Sequence, residues 1–403
     1  MKILYITSSL PVGTQETFII PEVLSLLAQG HTITIVPVHP HGNFIHRTAR
    51  HLLTHSLIVP LWSPRMIHAF LFTIRHPLLS LRAVPLLQPQ PPRHFVKNLA
   101  VFFKALAIAF RIDVSSFDHI HAHWASTASS LAMALHFLSG VPWSFTAHRW
   151  DLVDGNLLPL KVASASFVRL ISHNGLTLLQ SHIPHLPMDK IHIIPMGVTV
   201  PGHRSLLHRH PNRLFTIMCP ANLLPVKGHR YLLEAVAILK KRGVNVRLFI
   251  AGSGPLEKRI REQIISLGIK EHVEMIGRIS HDRLLSFYHE GAVDAVVLPS
   301  IDLGSGTHEG IPVALIEAMA YGIPVISTKT GGIPELLNDE AGVMVPDKDA
   351  TALAEAIEQM IRNPALRERI AEKGYTVVRE RFAIETITHT LETLFTRHAR
   401  HVS

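Results

Sequence analysis

Short apolar runs alternate with longer amphipathic stretches along the whole chain, the pattern of repeated βα units and parallel sheets. In the first half, Ile3–Thr7, Thr32–Val38, His119–Ala122 and Trp143–Thr146 read as strands. The pattern restarts at Leu214, with strands expected at Leu214–Cys219, Val246–Ala251, Val273–Ile276, Ala295–Leu298 and Pro324–Ser327. Helical spacing predicts helices over Phe18–Ala28, Tyr231–Lys241 and Leu315–Tyr321. The Pro- and Gln-rich stretch Leu86–Pro92 reads as a loop. The apolar helix expected at Phe95–Phe110 carries Lys97 and Lys104, with Arg111 just beyond, seven residues apart and so on one face. Those cations either snorkel to water from a core helix or rest on an anionic membrane surface. The polar stretch Pro195–Pro211 marks a boundary. The expected architecture is α/β, with two doubly wound domains joined by a short linker and a ligand cleft between them.

In open parallel sheets ligands bind beyond the carboxyl ends of the strands. The residues that follow each expected strand are therefore the candidate chemistry. In the first half they are Gly13, Thr14, Gln15 and Glu16, then His123, then His148, Arg149 and Asp151. In the second half they are Asn222–Gly228 with Lys227, Gly252-Ser253-Gly254-Pro255, Gly277-Arg278-Ile279, Ser300–Glu309 and Thr328–Gly332. Glu309 and Glu317 bracket a loop and a helix start, two carboxylates with seven residues between them. Pro312 suits the first helical position, which leaves the amides of Val313 and Ala314 free to seat a phosphate. One carboxylate could hold hydroxyls on each side of a diphosphate, as a sugar–diphosphate–ribose requires. Lys227, between a strand and a helix, is placed to neutralise that diphosphate. His119, His121 and His123 alternate along one strand face, but no carboxylate or cysteine is spaced to complete a metal site. His123, at the strand end, reads as a general base or a positioner of an acceptor hydroxyl.

The 403 residues are 47% hydrophobic and 17% charged, and the mean hydropathy is +0.25. That is a folded chain with large cores rather than a disordered one. A formal charge of +9 favours anionic partners. Nucleic acid is set aside because the basic residues lack interleaved aromatics or a recognisable module. Cys219 is the only cysteine, so an internal disulfide and a cysteine-based metal site are both ruled out. It reads as a buried strand thiol. No export signal is evident, and no apolar run reaches the ~20 residues needed to span a bilayer. The expected location is cytoplasmic, with peripheral attachment to the inner membrane as an option.

Taken together, these motifs resemble the retaining GT-B glycosyltransferases of family four, also called glycosyl transferases group one. The resemblance rests on Leu223-Leu224-Pro225-Val226-Lys227-Gly228-His229, Phe249 to Leu256, Gly277-Arg278-Ile279, the Glu309–Glu317 block and Gly331-Gly332-Ile333-Pro334-Glu335. Gln15-Glu16-Thr17-Phe18-Ile19, His121-Ala122-His123-Trp124-Ala125 and Ser144 to His148 look like the colanic-acid and exopolysaccharide branch. The resemblance implies a GT-B fold of two Rossmann-like domains facing across a cleft. An acceptor-side domain would span 1–198 and a donor-binding domain 199–382, with a last helix at about 383–403 packing back on the first domain. It implies metal-independent transfer from a UDP- or GDP-sugar, with no cofactor, to a glycan or lipid-linked acceptor in polysaccharide biosynthesis. Glu309, Lys227 and His123 would be catalytic. Glu317, Gly310, Ile311, Val313, Asn222, Arg278, Ile279 and Gly13 would bind the donor, and His148 and Thr14 would lie on the acceptor side. Two positions depart from the family pattern: Asn222 stands where Arg is usual, and Pro312 where Gly is common. The loss of a cation at Asn222 leaves a non-catalytic sugar-nucleotide-binding subunit as the alternative, unless Arg230, inside the following helix, substitutes for it.

Overall fold

Two six-stranded sheets carry the chain, and every adjacent pair of strands in them is parallel. The computed structural model describes residues 1–13, 16–40, 47–60, 67–202, 214–304, 307–338 and 340–400. It divides into two units, Met1–Met196 with Ile387–Ser403, and Gly197–Thr386.

The sheet of the first unit contains β1 (Lys2–Thr7), β2 (Thr32–Pro37), β3 (His119–His123), β4 (Trp143–Ala147), β5 (Phe167–Leu170) and β6 (Ile191–Ile193) in the spatial order β2-β1-β3-β4-β5-β6. Its helices are α1 (Ile20–Ala28), α2 (Ile67–Arg75), α3 (Pro77–Leu81), α4 (Pro92–Arg111), α5 (Thr127–Ser139), α6 (Arg149–Asp154), α7 (Leu158–Ser164) and α8 (His173–His182). Successive side chains on a strand point to opposite faces, and the cores follow that rule. Leu4, Ile6, Ile120 and Ala122 pack in one core with α4 and α5. Ile3 and Tyr5 pack in another with α1. His119 pairs in register with Ile3, and His121 with Tyr5. The odd-numbered histidines of β3 therefore share the Tyr5 face.

The sheet of the second unit contains β7 (Phe215–Pro220), β8 (Val246–Ala251), β9 (Val273–Gly277), β10 (Ala295–Leu298), β11 (Val325–Thr328) and β12 (Val343–Val345) in the order β12-β11-β10-β7-β8-β9. Its helices are α9 (His229–Lys241), α10 (Glu257–Ser266), α11 (His281–His289), α12 (Val313–Ala320), α13 (Ile333–Leu337), α14 (Ala350–Arg362) and α15 (Pro364–Arg381). Cys219 is buried in β7, where loss of solvent pushes its thiol up to about 12. The last helix, α16 (Ile384–Arg397), places Ile387, Leu391, Leu394 and Phe395 in the core that holds Ile3 and Tyr5.

Three strands are absent from the sequence reading: β5, β6 and β12. Each is only three or four residues long, and β5 and β6 are interrupted by Arg169 and His192, whereas the four-residue β10 is apolar throughout. Lys104 is the clearest correction on α4. Lys97 and Arg111 are exposed, but Lys104 is fully buried and does not snorkel. Its ammonium donates to the carbonyls of Pro37 (2.6 Å) and Val38 (2.8 Å) at the end of β2. Burial lowers its pKa to about 7.

His119 and His121 both bond the Ser144 hydroxyl at 2.8 Å, and His121 also bonds Thr146 at 3.0 Å. Burial drives the pKa of His119 down to about 3 and that of His121 well below the ordinary value. Below pH ~6.5 the unfolded chain takes up protons at these imidazoles while the folded chain does not, so stability falls with pH. Each such histidine is expected to contribute a slope of about 1.4 kcal/mol per pH unit as pH drops from 6.5 toward its folded pKa. Urea denaturation between about pH 7.5 and 5 checks this. A flat profile would contradict the buried neutral assignment.

Candidate active site

Each sheet has a point where the strand order reverses, and such points open a crevice at the carboxyl ends. In the first unit the reversal lies between β1 and β3, and in the second between β7 and β10. The loops that leave these four strands carry the candidate residues.

In the second unit, the Lys227 ammonium meets Glu309 Oε1 at 2.9 Å, with both side chains largely buried. Lys227 follows β7 and Glu309 follows β10, so this ion pair spans the reversal point. Glycines make the approach possible. A Cβ on Gly228, which has φ +65°, would lie 1.9 Å from the Pro299 carbonyl oxygen after β10. A Cβ on Gly331, with φ +55°, would lie 1.9 Å from the carbonyl oxygen of Glu309 itself. The Gly332 amide donates to that same oxygen at 3.3 Å. The β11 loop thus holds the Glu309 backbone from behind, and any side chain at Gly331 would push it away.

Pro312 is the N-cap of α12, one position earlier than expected, and Val313 is the first helical residue. The Leu315 and Ile316 amides already bond the Pro312 carbonyl. The amides of Val313 and Ala314 head the helix, and the positive end of its dipole lies there. Glu317, one turn further on, accepts from His281 Nε2 at 2.6 Å. Burial would lower the His281 pKa, but the hydrogen bond and charge of Glu317 outweigh it and raise it. Gly310 and Ile311 lie between Glu309 and the cap. Asn222 and Arg278 are exposed and Ile279 is half-buried, in the loops after β7 and β9. Arg230 is bonded to Glu234 at 2.8 Å on the surface of α9.

His229, at the start of α9, is buried, and neither ring nitrogen has a hydrogen-bond partner among the described residues. Burial, then Lys227, lowers its pKa to about 4. An orphaned buried polar group costs about 1–3 kcal/mol, and such groups in native proteins ask for an explanation.

In the first unit, His123 and His148 meet through their Nε2 atoms at 2.9 Å. The hydrogen-bond directions can be read from the Glu22 end. The Tyr5 hydroxyl donates to Glu22 Oε1 at 2.6 Å, so its oxygen accepts from His123 Nδ1, 3.1 Å away. His123 is neutral, so its Nε2 accepts, and the His148 proton sits on Nε2. At the start of α6 the His148 amide donates to Asp151 Oδ2 at 3.0 Å. Arg169 closes the chain, with Nη1 2.6 Å from Glu22 Oε2 and further donation to the carbonyls of Ile194 and Pro195. Burial, then the neighbouring His148 and Arg169, drives His123 well below its ordinary pKa. His148 falls to about 3, chiefly through burial. Burial raises the Glu22 carboxyl, but the Arg169 charge and the bonds from Tyr5 and Arg169 overcome it and hold the carboxylate ionised.

The loop after β1 is tied by Glu16, which accepts from the amides of Ser8 and Leu10 and from the Trp124 indole. Gly13 lies in that loop with φ +113°. Thr14 lies outside the described residues. Trp124, directly after His123, has φ +97°, a strained value for a bulky residue that costs about 1–3 kcal/mol. Its ring packs on His148 at 4.3 Å.

Glu22 supplies the carboxylate that spacing along the chain did not show. Among the described residues Glu22, His121 and His123 offer ligand atoms within 4.8 Å of one another. Arg169 already sets a positive charge against that carboxylate. Tyr5, Glu22, Arg169, His229 and His281 were given no role from sequence. Tyr5, Glu22 and Arg169 sit inside regular elements, where a polar residue in an apolar run is the one available signal. His229 and His281 sit at helix starts, one position after Gly228 and two after Ile279.

The family model for glycosyl transferases group 1 matches residues 208–377. WcaL of Escherichia coli (strain K12), named for colanic acid biosynthesis, is 39% identical over 172 residues, 42% of each chain. That match thus spans less than half the length of this relative. The amylovoran biosynthesis glycosyltransferase AmsK of Erwinia amylovora is 27% identical over 384 residues, covering 91% of this chain and 92% of its own. Among solved structures, a glycosyltransferase from Rickettsia africae ESF-5 superposes with a TM-score of 0.70 at 19% identity, over 98% of both chains. Anabaena HepE, solved in complex with UDP, gives 0.69 at 18% identity, over 98% of this chain and all of its own. The two parallel six-stranded sheets with their helices are the GT-B fold.

Two outcomes follow from the hydrogen-bond directions and charges. Long-range 1H–15N spectra at neutral pH are expected to show His123 as the Nδ1–H tautomer and His148 as the Nε2–H tautomer. Histidine titration by NMR is expected to place His281 above the ordinary imidazole range, and to return it toward that range in Glu317→Gln.

Proposed function

Because the chain belongs to the glycosyl transferases group 1 family, we propose that it moves a sugar from a nucleotide-diphospho-sugar to a glycan or lipid-linked acceptor with retention of configuration. The names of AmsK and of the Staphylococcus aureus capsular polysaccharide glycosyltransferase CapM support a setting in cell-surface polysaccharide biosynthesis. HepE in complex with UDP supports a nucleoside diphosphate as the carrier.

The observation that carries this reading is the Lys227–Glu309 pair at the reversal point of the second sheet, beside the head of α12. As the glycosidic bond breaks, negative charge builds on the departing diphosphate. Donors already in place stabilise it without reorganisation. Lys227 and the Val313 amide supply that charge, with backbone at Gly310 and Ile311 shaping the approach. Glu309 turns from Lys227 to the donor sugar's hydroxyls and opposes positive charge at the anomeric carbon. Glu317, steadied by His281, holds the ribose hydroxyls, and Arg278–Ile279 reads the base. His229 offers its unpaired imidazole next to Lys227. His123, with its tautomer fixed, and His148 serve the reacting sugar and the acceptor, and Gly13 gives the first unit's loop its close approach. Protein groups carry the whole charge balance, without a metal.

A thermal-shift screen of UDP- and GDP-sugars identifies the donor, since a ligand bound to the native state raises the melting temperature. With that donor, Glu309→Gln and Lys227→Met are each expected to lower kcat by at least about a hundredfold, with melting temperatures near wild type. Unchanged turnover in Glu309→Gln would overturn the assignment.

A further inference from the structure

The α2–α3 segment of the first unit presents an apolar face outward. Ile67, Phe70, Leu71, Ile74, Leu78 and Leu81 are all exposed, Phe70 by 65% and Leu78 by 80%. Ile67, Phe70, Leu71 and Ile74 are at helical spacing and form one stripe on α2, and Leu78 and Leu81 share a face of α3, which begins after the break at His76. The opposite side is already satisfied. Ala69 and Phe72 are buried in the core, and His68 stacks on Phe110 of α4 at 5.0 Å. A surface helix ordinarily turns polar residues to solvent, and here apolar residues stand in their place. Next to them on α4, Phe95, Val96 and Phe103 are exposed as well. Contiguous exposed apolar surface of this kind marks an interaction site.

The charge pattern says what kind. Between Glu22 and Asp113 the sequence contains no Asp or Glu and nine Lys or Arg. Arg75, Arg82 and Lys97 are exposed, and each directly follows an exposed apolar residue, Ile74, Leu81 and Val96. Arg93 is excluded because it pairs with Asp154 at 3.2 Å. The neighbouring acid, Asp154, is held by Arg93 and His94. Apolar side chains at helical spacing, flanked by cations in a segment that carries no acid of its own, match the boundary between anionic headgroups and acyl chains. A second copy of the chain fits poorly, because a two-fold interface would set this cationic face against itself. Among the described residues no helix is long and apolar enough to cross a membrane.

We propose that the α2–α3 face, with the exposed side of α4, docks the protein on an anionic bilayer surface. Phe70, Ile74, Leu78 and Leu81 enter the acyl boundary, and Arg75, Arg82 and Lys97 meet lipid phosphates. This rests on the first unit alone and is independent of the sugar-transfer reading.

The test is flotation of the full chain with phosphatidylcholine vesicles made with and without phosphatidylglycerol. Wild type is expected to float with the phosphatidylglycerol vesicles and to be released by added salt, which screens the headgroup charge. Phe70→Glu/Ile74→Glu/Leu78→Glu is expected to lose binding about tenfold or more, with circular dichroism and melting temperature unchanged. Arg75→Gln/Arg82→Gln/Lys97→Gln is expected to lose the preference for phosphatidylglycerol. Equal flotation on neutral vesicles, or full binding by the triple Glu variant, would overturn the proposal. So would wild type that stays off both vesicles and is dimeric by light scattering, with the triple Glu variant monomeric. Donor turnover with a soluble acceptor, measured on the same variants, reports separately on the transfer reaction.

Discussion

The ion pair between Arg169 and Glu22, fully removed from water, is the constraint around which the first unit is arranged. Taking two such charges out of solvent carries a desolvation penalty of several kcal/mol per ion. It is tolerable only when the remaining hydrogen-bonding capacity is met, and here each partner meets it with a group that matters elsewhere. Glu22 accepts the hydrogen bond from the Tyr5 hydroxyl, which leaves the phenol oxygen to accept from His123. Arg169 spends its other donors on the carbonyls of Ile194 and Pro195, where the chain leaves the unit. One buried charge pair thus sets the protonation of an imidazole and the course of the departing backbone.

The second unit works by backbone proximity instead. Its loops after β7, β8, β10 and β11 interlock because Gly228, Gly252 and Gly331 let carbonyl oxygens come where a methyl group would otherwise sit. That crowding presents Lys227 and Glu309 to each other and positions the head of α12. Glycines that look like turn punctuation in the sequence are contact points between loops from different strands.

The βα alternation and the strand-end rule placed most of this in advance. Nine strands were legible, and the pairings of Lys227 with Glu309 and of His123 with His148 lie where the rule directs. The rest escaped for local physical reasons. A three-residue strand, or a short one interrupted by Arg169 or His192, leaves no apolar run to read. Lys104 looked like a snorkelling cation because spacing shows which face a residue shares, not whether carbonyls wait there to receive it. Tyr5, Glu22 and Arg169 come from β1, α1 and β5, and only tertiary structure brings them to His123. The shift of Pro312 from first helical residue to cap is a one-residue matter of backbone angle.

Cys219 has a practical consequence. It is the chain's single thiol, shut inside β7, with ionisation pushed far above physiological pH. Alkylating reagents react with the thiolate, so the native protein is close to inert toward maleimides. A cysteine introduced at any exposed position would therefore take up a fluorophore or spin label alone, and distances between labelled sites could be measured without first removing a residue from the core.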